Sequence, residues 1–128
     1  MATREEILAL GLVARQVPVA QHVQEFALRL VLATHPEKQE APEEIRRFVR
    51  YGASPRAGQA LILSGKVRAL TAGRFNVATE DIKASALPSL RHRLVLNFEG
   101  QAEGADPDDL IRTAVESLER EARDELPV

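Results

Sequence analysis

The chain has 128 residues, 45% of them hydrophobic and 28% charged, which fits one globular domain with a real core. A net charge of −2 gives no bulk attraction to nucleic acid or to an anionic membrane. The absence of cysteine excludes disulfides and thiolate metal sites, and with no membrane-length apolar run and no leader-like N-terminus, a cytoplasmic protein without membrane insertion is expected.

Aromatic residues make up only 4% of the chain and tryptophan is absent, so the core must be built from Leu, Val, Ile and Ala, which suits packed helices. Thr3-Arg4-Glu5-Glu6 is a capping box, and the helix it opens carries Ile7, Leu10, Gly11 and Ala14 on one face, with Leu8 and Leu12 beside them, to about Arg15. A second helix is expected from Pro18 to about Thr34, with Val19, Val23, Phe26, Ala27, Leu30 and Ala33 at helical spacing. His35 to Ala41 is a polar loop. Pro42 then opens a short charged helix whose inner face is Ile45, Phe48 and Val49 and whose Arg46, Arg47 and Arg50 point to solvent or to a partner surface.

Gly52 is expected to close that helix in the left-handed conformation. Ser54 caps the next helix with its hydroxyl, and Pro55 occupies the first helical position, where a missing N–H costs nothing. Arg56 then falls in the first turn, where the helix macrodipole disfavours a cation but where a guanidinium and open amides together can receive an anion. The helix from Pro55 to about Ala72 is apolar almost all round and reads as the buried centre of a bundle. Gly73 closes it, Arg74 follows where a cation complements the helix dipole, and Phe75-Asn76-Val77 is extended.

Thr79 caps a further helix with Glu80 and Asp81 in its first turn, with Ile82, Ser85 and Ala86 facing inward, and Pro88 breaks or kinks it ahead of a turn carrying Leu90, Arg91 and His92. Leu94 to Phe98 is strand-like and is expected to pair with Phe75 to Val77. Glu99 to Ala105 is a loop. Asp106-Pro107-Asp108-Asp109 starts a last amphipathic helix through Leu110, Ile111, Ala114, Val115 and Leu118, which fades into charge from Glu119.

Four blocks, in order and at matching spacing, carry a resemblance over nearly the whole chain: Gly52-Ala53-Ser54-Pro55-Arg56-Ala57, Gly73-Arg74-Phe75-Asn76-Val77, Glu80-Asp81-Ile82 and Leu90-Arg91-His92-Arg93-Leu94. Together they resemble the C-terminal lid of MoxR-type AAA+ ATPases. The resemblance implies an all-α bundle of the AAA+ lid type with at most a minor two-stranded element. Residues 1–128 would be a single helical lid, a C-terminal piece of a larger ATPase whose nucleotide-binding core lies upstream, with Met1 added at the junction.

By the same resemblance Arg56 is the sensor-2 arginine that reaches the nucleotide, supported by Gly52, Ser54 and Pro55 at the helix start. Arg74, His92 and Arg93 are structural or interface residues, and His35 stands where the family commonly has arginine. The parent protein would use ATP and Mg2+, neither of them bound by this piece alone. Its partners would be its own core and the neighbouring subunits of a ring, and its work the chaperone-like maturation of a client protein.

Ser64-Gly65-Lys66-Val67 is not a phosphate-cradling loop: Ala60 stands where that loop needs glycine, Val67 where it needs Ser or Thr, and the dipeptide lies inside a helix. The chain by itself therefore has no means of hydrolysing ATP. His22, His35 and His92 are too scattered for a metal site or a triad. A helical DNA-binding module would need a basic face that the scattered arginines do not make. A helical protein-interaction module with no nucleotide role accounts for most residues equally well, except for the placement of Arg56.

Overall fold

The computed structural model describes residues 3–6, 8 and 17–125, with side chains to residue 122. At the N-terminus the capping box forms reciprocally: Glu6 N–H donates to Thr3 Oγ1 at 3.1 Å and Thr3 N–H to Glu6 Oε2 at 3.3 Å. The apolar face expected from Ile7, Leu10, Gly11, Leu12 and Ala14 lies outside the described residues.

Helix α1, Gln21–Ala33, starts three residues later than expected, at an Ala20 cap with no side-chain bond, and buries Val23, Ala27, Leu30, Val31 and Ala33. Helix α2, Glu43–Phe48, is held by Ile45 beneath it and has Glu43 and Glu44 in its first turn and Arg46 and Arg47 in its last, each favourable to its dipole. It ends before Gly52. Val49–Tyr51 leaves the helix as strand β1, because a backbone partner, β2 at Val95–Leu96, lies alongside it in antiparallel register, Val49 opposite Leu96 and Tyr51 opposite Val95. The expected left-handed Gly52 is thus corrected, and so is the pairing of the second strand with Phe75 to Val77. Val77 instead makes a single parallel bridge to Val19.

Helix α3, Pro55–Thr71, ends as expected. Gly73 takes φ 76°, its N–H bonds to Leu70 O and the Arg74 N–H reaches back to Ala69 O at 2.8 Å, which satisfies two terminal carbonyls. Its inner line is Ala57, Leu61, Gly65 and Ala69, all buried. The expectation that it is covered on every side does not hold. Leu63 is 41% exposed and Ile62 only half-buried, so one side of the helix lies open.

Helix α4, Thr79–Leu90, is capped from Ala78 rather than by Thr79. The Asp81 carboxylate, at the third helical position, accepts from the Ala78 N–H at 2.8 Å, while the Thr79 hydroxyl donates to Glu80. Pro88 neither breaks the helix nor shortens it. It sits in the last turn, where it costs one backbone bond, and the fully buried Leu90 anchors the end.

The expected loop from Glu99 is a helix, α5, Phe98–Glu103. Asn97 makes it so: its Oδ1 accepts from Gly100 N–H at 2.8 Å as a cap, its Nδ2 donates to Arg47 O and its own N–H to Phe48 O. The strand is cut to two residues by the same side chain. Gly104, at φ 69°, closes α5, and Asp106 accepts from Asp108 N–H to start α6, Pro107–Glu125.

Two apolar clusters result among the described residues. The main one gathers Leu30, Leu61, Ile82, Leu90 and Ile111 from α1, α3, α4 and α6, and a smaller one gathers Ala41, Ile45, Val49 and Leu110 beneath α2 and the strand pair. Adjacent residues Leu110 and Ile111 serve different clusters, so α6 joins the two. The domain is an all-α bundle with one two-stranded element, as expected.

Candidate functional site

The start of α3 is the place where the backbone geometry and an unengaged cation coincide. Ser54 is at the cap position in extended geometry and Pro55 is at the first helical position, but the Ser54 hydroxyl makes no capping bond, which corrects the expected cap. The turn closes through backbone alone, Ala57 N–H to Ser54 O at 2.9 Å. Arg56 is exposed, makes no hydrogen bond or ion pair among the described residues, and has no carboxylate in its own turn. A guanidinium standing over the positive end of a 17-residue helix is electrostatically suited to an incoming anion.

The segment that delivers this turn is fixed from α1. Thr34, fully buried, donates its hydroxyl proton to Val31 O at 2.6 Å and accepts from Ala53 N–H at 3.0 Å. His35 Nε2 donates to Ala53 O at 2.6 Å, and its Nδ1 lies 3.4 Å from the Glu37 carboxylate. Gly52 lies flat against Thr34, where a Cβ would come 2.5 Å from the Thr34 carbonyl oxygen. Glycine is needed there for close approach, with an ordinary φ. Sequence reasoning missed Thr34 and His35, since a Thr-His pair after a helix carries no signal of a contact 18 residues away.

Beside Pro55 runs an open groove of about 520 Å3 between α1 and α3, bordered by Ala27, Leu28, Pro55, Ile62, Leu63 and Lys66.

The other expected site residues do not join Arg56. Arg74 is structural: its two terminal nitrogens hold Asp81 Oδ2 at 2.8 Å and Oδ1 at 2.6 Å, and Arg68 Nε lies 3.5 Å from the same Oδ1. The Arg74 hydrogen bonds hold the Asp81 carboxyl below its ordinary range, against the opposing effect of burial. His92 and Arg93 are exposed, with no side-chain hydrogen bond or ion pair among the described residues. It is Arg91 that ties this turn down, through Asp108 at 2.8 Å. Arg47 bridges to Glu99 and Glu103, and Arg46 to the carbonyls of Lys38 and Gln39. Among the described residues no group of three or more His, Cys, Asp or Glu is placed to hold a metal ion, and no helix is long and apolar enough to cross a membrane.

The model of the AAA lid domain family matches residues 43–114, more than half of the chain. The chain is 29% identical over 113 residues to Chaperone MoxR1 of Mycobacterium tuberculosis, covering 88% of this chain and 30% of that protein. The crystal structure of an inferred ATPase from Cytophaga hutchinsonii superposes with a TM-score of 0.77 at 31% identity, over 82% of this chain and 32% of that one. The chain therefore belongs to the AAA lid domain family, as a lid of the MoxR type. It spans about a third of the length of both relatives.

Proposed function

We propose that the chain is the C-terminal lid of an ATP-hydrolysing MoxR-type protein and that Arg56 is its sensor of the nucleotide's terminal phosphate. The observation that carries this is the exposed, unengaged Arg56 in the first turn of α3, a turn free of carboxylates. In the parent protein ATP with Mg2+ would be held by the upstream core, which supplies the hydrolytic chemistry. Arg56 adds a charge-assisted contact to the terminal phosphate, and loss of that contact after hydrolysis releases the lid. The lid would dock on its own core and on the neighbouring subunit of a ring, in a cytoplasmic, chaperone-like complex. Residues 1–128 contribute to the ATP site without being catalytic themselves.

The test is Arg56→Ala in the complete protein. Turnover is expected to fall about ten- to a hundredfold, the value of one charge-assisted contact of about 1.5–3 kcal/mol. ADP affinity should change much less, and Arg56→Lys should recover little, since a point charge does not reproduce the planar fork. Unchanged turnover would leave the chain a protein-interaction module. Equal losses of ATP and ADP binding would replace sensing by general charge attraction.

A further inference from the structure

Between the last strand pair, Tyr51 with Val95, and the first helical hydrogen bond of α3, the chain passes through Gly52, Ala53 and Ser54. Nothing local fixes this passage, because the Ser54 hydroxyl does not cap. What fixes it comes from the end of α1, and it acts on one peptide group at each side of Ala53. The N–H is taken by Thr34 Oγ1 and the C=O by His35 Nε2. The Thr34 hydroxyl proton is committed to Val31 O, so its lone pairs are the part left for Ala53. A carbonyl can only accept, so the His35 ring must carry its hydrogen on Nε2. Gly52, without a side chain, lets the two backbones meet.

We propose that Thr34 and His35 are positioning residues for Arg56: by gripping Ala53 they set where the first turn of α3 stands, and with it where the guanidinium meets a phosphate. The proposal rests on the reading of Arg56 as the phosphate sensor. A loose grip leaves the helix intact, since its inner line is buried elsewhere, but lets its first turn shift. Displacements on the order of 1 Å are enough to cost a reaction heavily.

The test is a double-mutant cycle on ATP turnover by the complete protein, run well below its melting temperature. His35→Ala is expected to lower kcat about tenfold with little change in KM. His35→Gln, whose amide can donate to the same carbonyl, should recover most of it, and Thr34→Ser should behave like the parent. In an Arg56→Ala background, His35→Ala should add no further loss, because it acts through the arginine already removed. On the 128-residue chain, nitrogen-detected NMR should find the His35 hydrogen on Nε2 and slow exchange of the Ala53 amide. A loss from His35→Ala that persists in full without Arg56 would reduce the residue to a general stabiliser and overturn the proposal, as would normal kcat in His35→Ala when Arg56→Ala is impaired. Normal turnover in Arg56→Ala would overturn the sensor reading itself, and a His35 Nε2 that carries no hydrogen would remove the grip whatever Arg56 does.

Discussion

The Asp81 carboxylate, with 1% of its side chain exposed, accepts from both terminal nitrogens of Arg74 and from the Ala78 amide, so it caps α4 and ties it to the residue that ends α3. Its folded-state pKa is lowered, first by the Arg74 hydrogen bonds, so the stability it contributes is fully present above its ordinary value of 3.8 and is lost as pH falls toward the lower folded value. Asp81→Asn should destabilise the domain by about 2–4 kcal/mol at neutral pH, less than a fully buried pair because Arg74 is half in water. Denaturant titrations should show the parent and the variant converging below that ordinary value; parallel curves would show that the carboxylate is not charged in the fold. Two glycines at this scale separate two causes. Gly52→Ala drives a methyl into the Thr34 carbonyl and should cost about 1–3 kcal/mol or displace the start of α3. Gly73→Ala meets no atom within 4 Å, so its cost, about 1 kcal/mol, is conformational alone. Equal thermal shifts in the two variants would contradict this division.

Helices with a strong local pattern were legible in the sequence: α3 and α6 stand where periodicity put them, α1 begins three residues late, and Gly73 ends α3 because, lacking a Cβ, it takes a positive φ without strain. What was not legible depended on neighbours distant in sequence. Val49 to Tyr51 leaves α2 as a strand only because Val95 and Leu96 lie beside it, and Phe98 to Glu103 is helical because Asn97, read as part of a strand, caps it while bonding Arg47 and Phe48. Asn97→Ala removes the cap and the side-chain bond to Arg47 O while keeping the backbone bond to Phe48, and should cost about 1–2 kcal/mol in chemical unfolding, with amide exchange faster in α5 than elsewhere. The exposure of α3 was also invisible, since periodicity reports how apolar a face is and not whether this chain covers it. At the candidate site the sequence indicated the helix start and Arg56 but not Thr34 and His35, whose role exists only through backbone groups that any residue carries.

On the scale of the whole molecule, the chain spans about a third of its relatives, and under the proposed function it would offer one wall of a nucleotide site. A single contact falls short of the roughly 4 kcal/mol that a millimolar Kd requires, so calorimetry on the 128-residue chain should find ATP binding weaker than about 1 mM. Micromolar binding would mean that the chain carries a nucleotide pocket of its own. The pairing of β1 with β2 also bears on the order in which the domain assembles. It closes the chain on itself across the stretch that contains α3 and α4, and closing about 43 unstructured residues costs roughly 3 kcal/mol of chain entropy. If the helical hairpin condenses first, with Ile82 and Val77 seated on Gly65, most of that separation is already spanned and the strands meet cheaply. The strand pair is then a late latch: Ile82→Val should mainly slow folding, and Leu96→Ala should mainly hasten unfolding in stopped-flow measurements.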